Sequence, residues 1–148
     1  MRFFDTNILI YAVTNQDMRK REIARELISH ALEDNHDGCI STQVVNEFCA
    51  QLSGKFGRSR DELDQYLDIL RPLQACDITF DLVRHAVMVK EECQISFWDA
   101  LIVSAAERCH CHEIVTEDLS DGQLYRGVVA VNPFSGSRID TPLDTRHL

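Results

Sequence analysis

Short apolar runs alternate along the chain with longer segments whose apolar residues recur at helical spacing. The runs that predict β-strands lie at 2–4, 38–41, 76–78, 113–116 and 128–131. The segments that predict helices lie at 8–13, 18–32, 43–52, 60–70, 80–93 and 97–106. Short, continuously apolar strands between helices are typical of a parallel sheet covered on both faces. The pattern therefore predicts an α/β fold.

Capping residues and polarity refine this prediction. Thr42 is expected to cap the third helix, and Ser59 forms a capping box with Glu62 before the fourth. The segment 97–106, which includes Trp98, is apolar on nearly every side, so we expect a central, buried helix. No repeat or linker interrupts these segments. We therefore expect one domain over 1–134 and a polar C-terminal extension over 135–148.

The composition is that of an ordinary folded domain, with 148 residues, 45% hydrophobic and 26% charged. The N-terminus meets Asp5 too early for a secretory signal, and no apolar run is long enough to cross a bilayer. We therefore expect a cytoplasmic protein that contacts no membrane. In that reducing compartment the six cysteines should be free thiols.

The formal net charge of −9 bears on any interaction with nucleic acid. Its sign opposes binding by phosphate neutralisation alone, so an RNA-binding function would need cations in an acidic cluster and local basic patches. A basic run is usually only a solvated face, and both interpretations stay open. The candidate residues lie on the second helix and near the hairpin of helices that follows the third: Arg19, Lys20, Arg21, Arg25, Lys55, Arg58 and Arg60.

Four carboxylates follow or interrupt apolar runs. Asp5 and Asp118 each follow a strand, Glu47 lies in a helix, and Asp99 lies near the start of the buried helix. Ligands of open parallel sheets bind beyond the carboxyl ends of the strands, so the four side chains are predicted to converge. Ionised carboxylates share a small site only when a cation neutralises them, and oxygen ligands favour Mg²⁺ or Mn²⁺. A phosphodiester is the natural substrate of such a site.

Each carboxylate also has a purely structural interpretation. Asp99 would complete a capping box with Ser96. Glu47 falls on the polar side of its helix, which is typical of a solvated residue. Asp5 and Asp118 suit turns or helix N-caps. The prediction of a site therefore depends on the four positions taken together.

The carboxylates lie in four segments whose order and spacing are distinctive. These read Phe4-Asp5-Thr6-Asn7-Ile8-Leu9-Ile10-Tyr11, Asn46-Glu47-Phe48, Phe97-Trp98-Asp99-Ala100-Leu101-Ile102 and Val115-Thr116-Glu117-Asp118-Leu119. Together they resemble the PIN-domain family of ribonucleases, and in particular the VapC-type toxins of type II toxin–antitoxin pairs. The resemblance covers most of the chain and is far more specific than a single Asp-Thr-Asn.

The resemblance implies a three-layer α/β/α fold with a central parallel sheet, and a homodimer. It implies one catalytic site around one or two Mg²⁺ or Mn²⁺ ions, with Asp5 and Asp99 as the surest ligands. Thr116 matches a hydroxyl position of the family and is expected to bond a carboxylate or water, although a solvated strand end would look the same. Asp121 is a candidate for a fifth acidic position, or an ordinary Asp-Gly turn. The implied catalytic and metal-binding residues are Asp5, Glu47, Asp99 and Asp118.

The function implied by the resemblance is that of a metal-dependent endoribonuclease. Similar proteins cut loops of tRNA or ribosomal RNA and so inhibit translation. Attack by water would leave a 5′-phosphate and a 3′-hydroxyl. A cognate antitoxin protein would neutralise the toxin by laying a C-terminal segment along it and inserting an arginine among the carboxylates.

Other classes of site fit parts of the sequence. A catalytically silent PIN-like scaffold would bind a partner or RNA without cleaving it. A receiver-like signalling module also has an acidic Mg²⁺ pocket, but it needs a lysine after its last strand, and 128–133 contains none. The run Cys109-His110-Cys111-His112 lacks the paired spacings of a structural zinc site.

Overall fold

The computed structural model describes residues 1–34 and 37–136. Its strands are β1 (Arg2–Phe4), β2 (Gly38–Ser41), β3 (Gln74–Cys76), β4 (Glu113–Val115), β5 (Leu124–Tyr125) and β6 (Val128–Val131). Its helices are α1 (Thr6–Val13), α2 (Met18–Glu33), α3 (Thr42–Ser53), α4 (Arg60–Leu70), α5 (Phe80–Cys93) and α6 (Phe97–Arg108). None of the described helices is both long and apolar enough to span a membrane.

The strands form one sheet in the order β3-β2-β1-β4-β6-β5. All neighbouring strands run parallel except β5, which pairs antiparallel with β6. Phe4 at the end of β1 lies opposite Val115 at the end of β4. The residues that follow these two strands are therefore direct neighbours at the carboxyl edge of the sheet.

Helices cover both faces of this sheet. Gly38 and Cys39 are consecutive on β2 and so face opposite sides. A Cβ at Gly38 would lie 3.0 Å from Ala31 Cβ of α2. The Cys39 thiol instead meets the thiol of Cys111, which follows α6. With α6 packed against β2, β4 and β6, the predicted three-layer α/β/α arrangement is confirmed.

Several sequence-based details are wrong. The strand predicted at 76–78 lies at Gln74–Cys76. Ser41, not Thr42, caps α3, because its Oγ accepts a hydrogen bond from the Val44 amide at 3.3 Å. Trp98 is 63% exposed although the body of α6 is buried, and β5 carries no apolar pattern long enough to predict.

The predicted free thiols are observed, since all six cysteines are unbridged. Cys109 and Cys111 are buried while His110 and His112 are exposed, so this run does not gather its four side chains around one point. Of the predicted C-terminal extension, only residues 135 and 136 are described, and 137–148 lie outside the described residues.

Candidate active site

Asp5 occupies the junction between β1 and α1. It is the N-cap of α1 and is only 7% exposed. Its Oδ1 accepts from the Thr6 amide at 2.7 Å, and its Oδ2 accepts from the Thr116 hydroxyl at 2.8 Å. Burial raises the pKa of Asp5 to about 6; the bonds from Thr116 and Thr6 oppose this rise, and the charges of Asp118 and Glu47 add to it. A buried carboxylate is thus fixed in orientation beside two like charges.

Thr116 links two of the candidate carboxylates. It follows β4 directly and is fully buried. Its hydroxyl donates to Asp5 Oδ2 and accepts from the Asp118 amide at 3.1 Å. Because one hydroxyl serves both residues, the position of Asp118 is tied to that of Asp5.

Glu47 reaches the same region from α3. Its Oε2 accepts from the Thr6 hydroxyl at 2.7 Å, and its Oε1 accepts from the Gln43 side-chain amide at 3.2 Å. The side chain is half-buried, so the solvated interpretation suggested by its helical position is wrong. Thr6 therefore joins Asp5 to Glu47, the first through its backbone amide and the second through its side-chain hydroxyl.

Asp99 lies in the first turn of α6. Its amide donates to the Ser96 hydroxyl at 3.0 Å, which is one half of a capping box. The reciprocal bond that completes such a box in α4, from the Ser59 amide to Glu62, has no counterpart in α6. The half-buried Asp99 carboxylate is therefore not used for capping.

Asp118 has an exposed side chain at the edge of the group. Partial burial raises its pKa, and the neighbouring charges of Asp99, Glu117 and Glu47 raise it further. The charges of Asp118 and Glu47 in turn add to the rise in the pKa of Asp5. The charge of Asp118 is therefore linked to each of the other three predicted residues, and Asp99 joins the group through Asp118.

Asp121 points elsewhere. Its Oδ1 accepts from the Asn132 amide at 2.9 Å, and its Oδ2 accepts from the Ser135 hydroxyl at 3.4 Å. The following Gly122 has φ +80°, a conformation that favours glycine. These contacts support the interpretation of Asp121 as part of an Asp-Gly turn that holds the segment after β6.

Among the described residues, none of the four carboxylates forms an ion pair with a cationic side chain. Within 1–34 and 37–136, no group of three or more His, Cys, Asp or Glu side chains stands ready to hold a metal ion. Whether a divalent cation fits here is therefore judged from the chemistry of the donor atoms. The four side chains offer only carboxylate oxygens, and no cationic side chain among the described residues balances their charge. Oxygen ligands of this kind are the ones that Mg²⁺ and Mn²⁺ prefer.

Sequence reasoning missed several supporting residues. Gln43 stands one turn before Glu47 and donates to it, and its amide also donates to the Trp98 carbonyl at 3.3 Å. Glu117 accepts from the Tyr11 hydroxyl at 2.6 Å and from Lys20 Nζ at 2.8 Å. The i, i+4 spacing of Gln43 and Glu47 was the only signal in the sequence, because the other contacts cross between distant segments.

All seven candidate basic residues already hold partners within the protein. Arg25 donates to the Ala12 carbonyl at 2.7 Å, and Arg58 donates to the Val13 carbonyl at 3.1 Å. The remaining contacts are of Arg19 with the Phe134 carbonyl, Lys20 with Glu117, Arg21 with Asn15, Lys55 with the Phe56 ring, and Arg60 with Asp64. Their contact with RNA stays a prediction.

Three solved structures are similar to this chain. A toxin–antitoxin complex from Klebsiella pneumoniae has a TM-score of 0.68 at 21% identity, covering 90% of this chain and 98% of that one. Mycobacterium tuberculosis VapC20, described as a sarcin–ricin loop cleaving toxin, has a TM-score of 0.61 at 19% identity, with 80% and 92% covered. Rickettsia felis VapBC2, bound to a DNA fragment from its promoter, has a TM-score of 0.57 at 19% identity, with 87% and 96% covered.

At these identities the structural similarity shows a shared fold. No curated protein matches the chain in sequence. The family model for the PIN domain, however, matches residues 2–120, which include all four candidate carboxylates. The resemblance to this family inferred from the four segments is confirmed. The chain belongs to the PIN domain family.

Proposed function

We propose that this PIN domain is a metal-dependent endoribonuclease and acts as the toxin of a toxin–antitoxin pair. The observation that carries the proposal is the group formed by Asp5, Glu47, Asp99 and Asp118 at the carboxyl edge of the sheet. Burial and the charges of neighbouring carboxylates raise the pKa of Asp5 and of Asp118, and none of the four side chains is neutralised by a basic side chain among the described residues. A structural role would not require so much uncompensated negative charge in one place.

We assign Asp5, Glu47, Asp99 and Asp118 to the binding of Mg²⁺ or Mn²⁺. A bound divalent cation supplies positive charge that stabilises the developing charge on a phosphate and lowers the pKa of a water molecule. Asp5 contributes a carboxylate that Thr6 and Thr116 hold in one orientation. Glu47 or Asp118 orients the attacking water through a carboxylate oxygen.

The proposed substrate is RNA, with a loop of tRNA or ribosomal RNA as the target. Hydrolysis by water breaks the bond between phosphorus and the 3′ oxygen, so the products carry a 5′-phosphate and a 3′-hydroxyl. The ribose 2′-hydroxyl takes no part. In support, one of the structures with this fold is described as a toxin that cleaves the sarcin–ricin loop.

The proposed protein partner is a cognate antitoxin. An apolar groove of about 300 Å³ lies between α1, α2, α3 and α4, lined by side chains that include Leu9, Ile28, Phe48 and Ile69. An amphipathic helix places its apolar face in grooves of this kind. Two of the similar structures contain toxin–antitoxin proteins, which supports a partner of this class. An arginine from that partner would find four unpaired carboxylates near the end of β1.

We further propose a cytoplasmic homodimer. The outer face of α5 carries Phe80, which is 77% exposed, together with exposed Val87 and Met88. Residues seven and eight positions apart share one side of a helix. Exposed apolar side chains grouped on one helix, here with the Arg84 guanidinium 5.5 Å from the Phe80 ring centroid, are typical of a protein–protein interface, and a second copy of the chain would cover them.

The proposal is tested by incubating purified protein with total cellular RNA and Mg²⁺ or Mn²⁺, with an EDTA control, and by sequencing the 5′ ends produced. Asp5→Asn is compared with Asp68→Asn, which changes an exposed aspartate on α4. We expect discrete cleavage that EDTA and Asp5→Asn abolish and that Asp68→Asn retains. Equal cleavage by the wild type and Asp5→Asn would place the activity elsewhere. No cleavage of any RNA would favour the silent, partner-binding interpretation.

A further inference from the structure

An exposed aromatic residue directly precedes one of the candidate catalytic carboxylates in the chain. Trp98 immediately precedes Asp99, and its side chain is 63% exposed, although the residues that follow in α6 are buried. A tryptophan at this exposure presents a large aromatic surface that a ligand can contact. Exposure alone does not assign a function, so a role for Trp98 depends on the contacts that hold it beside the acidic residues.

The backbone that carries Trp98 is held rigidly. The Ser96 hydroxyl caps α6 by accepting from the Asp99 amide at 3.0 Å. The buried side chain of Gln43 donates to the Trp98 carbonyl at 3.3 Å and also to Glu47 at 3.2 Å. One amide thus joins Trp98 to a candidate catalytic carboxylate, so the tryptophan and the acidic group keep a fixed relation.

The indole itself is also supported. The Phe97 ring contacts it edge to face, with centroids 5.5 Å apart and an interplanar angle of 69°. A half-buried aromatic neighbour restricts the indole without covering it. Side chains arranged in this way lose little conformational entropy when a flat ligand stacks on them.

The charges around the site make stacking the more useful contribution to RNA binding. The chain has a net charge of −9, and nearby cations such as Lys20, Arg25 and Arg58 already hold partners in the protein. Few phosphate contacts are thus ready to supply affinity. Stacking of a base on an aromatic ring does not depend on the charge of the protein.

We propose that Trp98 is a stacking platform for one nucleobase of the RNA, next to the bond that is cleaved. The proposal rests on the proposed ribonuclease function and adds to it a residue that determines how the substrate binds. Trp98 contacts a base in this account, whereas the carboxylates act on the phosphate. Because every base has an aromatic face, the platform favours purines over pyrimidines only through their stronger stacking.

The protein offers a direct probe of this contact, since Trp98 is its one tryptophan. Oligo(A) and oligo(U) RNA of about ten nucleotides, a length that matches the site sizes of single-strand binding proteins, are titrated in EDTA while the indole fluorescence is followed. We expect quenching on binding, stronger with oligo(A). Trp98→Ala should weaken binding about tenfold, as measured by anisotropy of end-labelled RNA, while Trp98→Phe should retain most of it. Leu124→Ala, which removes another exposed apolar side chain (62% exposed), should bind as the wild type does.

Cleavage assays with the same variants separate this proposal from the proposed function. If the wild type cleaves RNA, Trp98→Ala should raise KM about tenfold with little change in kcat. Unchanged KM and affinity in a folded Trp98→Ala protein, or RNA binding without any change in indole fluorescence, would overturn the platform and leave the nuclease intact. Fluorescence that shifts with protein concentration in the absence of RNA would also overturn it, because the indole would then be covered by a second copy of the chain. If the wild type cleaves nothing, the proposed function fails, and the binding titration alone decides whether Trp98 contacts a base.

Discussion

At the scale of single residues, the candidate site depends on two threonines that hold the carboxylates in place. Thr6 donates its amide to Asp5 and its hydroxyl to Glu47, and Thr116 bridges Asp5 and the Asp118 amide. Each threonine is buried, so its hydrogen bonds form in a region of low polarity, where unpaired partners are costly. The carboxylates therefore owe their orientation to neighbours that do not themselves act on the substrate.

Replacing Thr116 by valine tests this arrangement. Thr116→Val keeps the volume but removes the hydroxyl, which leaves Asp5 Oδ2 and the Asp118 amide without this partner. We expect cleavage to fall by about 10-fold to 100-fold, as is usual when a residue that orients a metal ligand is lost. We also expect a loss of about 1–2 kcal/mol in the free energy of unfolding, measured with urea.

Thr116→Ser supplies the matched control, because it restores the hydroxyl on a smaller side chain. Cleavage by Thr116→Ser should lie close to that of the wild type. If the serine and valine variants lost activity equally, the hydroxyl would not be what matters at this position.

Sequence reasoning identified the carboxylates but not everything that orients them. Asp5, Thr116 and Asp118 could be predicted because strand ends are visible in the apolar pattern. Gln43 was missed because its bond to the Trp98 carbonyl joins distant segments of the chain, and its i, i+4 spacing to Glu47 is by itself a weak signal. Helical periodicity likewise predicted that Glu47 lies on the polar face of α3. It did not show that this face of the helix is directed toward the end of β1.

At the scale of secondary-structure elements, the contact between α2 and β2 depends on a glycine. A Cβ at Gly38 would lie 2.5 Å from Leu73 Cδ2 and 3.0 Å from Ala31 Cβ. Gly38→Ala should therefore lower the free energy of unfolding by about 1–3 kcal/mol through overpacking, as measured by urea denaturation. Gly136→Ala is the control, since no described residue other than its chain neighbour lies within 4 Å of the added Cβ. Equal free energies of unfolding for the two variants would contradict this prediction and show that the neighbouring side chains move aside at little cost.

A charged network joins α5, α6 and the turn between β5 and β6. Arg126 bonds Glu107 at 3.0 Å and Glu92 at 2.9 Å, and His85 bonds Glu107 at 3.0 Å. Burial raises the pKa of Glu107, but the bonds from Arg126 and His85 outweigh it and lower the pKa below its ordinary 4.5. The charged form of Glu107 is therefore stabilised by folding.

This lowered pKa gives a pH-dependent contribution to stability. A carboxyl group with a lowered pKa in the folded state stabilises the protein fully above pH 4.5, and the contribution is lost as the pH falls through the folded pKa. Glu107→Gln should cost roughly 0.5–1 kcal/mol near neutral pH, because the pair is partly exposed, and less below pH 4.5. Urea denaturation at several pH values measures this difference. A cost that stayed constant with pH, or equalled that of the exposed-site control Glu91→Gln, would contradict it.

The boundaries of most elements could be predicted because apolar period and capping residues agree. The errors have local physical causes. Ser41 and Thr42 are both good caps, and the sequence does not show which of them leaves the strand last. β5 has only two residues and is fixed by pairing with β6, so no pattern within it could reveal a strand.

At the scale of the whole molecule, the proposed dimer places an apolar face of α5 in contact with a second copy. Phe80→Glu puts a charge on this face, where Phe80 is 77% exposed in the single chain. We expect the dissociation constant of the dimer to rise more than about tenfold, because a buried, unpaired charge is costly. Sedimentation equilibrium measures this change. Leu124→Glu, at an exposed site on β5, should leave association unchanged, and an unaffected dimer in Phe80→Glu would move the interface to another surface.

The proposed cation binding offsets part of the acidic character of the chain. A net charge of −9 opposes RNA binding, and divalent cations at the carboxylates near the end of β1 would lower this repulsion where the scissile phosphate binds. The positions of the acidic residues in the sequence predicted that these carboxylates cluster. The number of cations that they would bind depends on the distances between the side chains, which a sequence pattern does not determine. The proposed ribonuclease function therefore depends on binding of the cation.

The most direct test of that central claim is calorimetric titration of the purified protein with Mn²⁺ in the absence of RNA. We expect saturable binding by the wild type and by Asp68→Asn, and binding at least about tenfold weaker in Asp5→Asn, which keeps the shape of the side chain but removes its charge. Circular dichroism confirms that each variant is folded. Equal Mn²⁺ affinity in the wild type and Asp5→Asn, or no saturable binding by the wild type, would contradict the assignment of a metal-dependent site to these carboxylates.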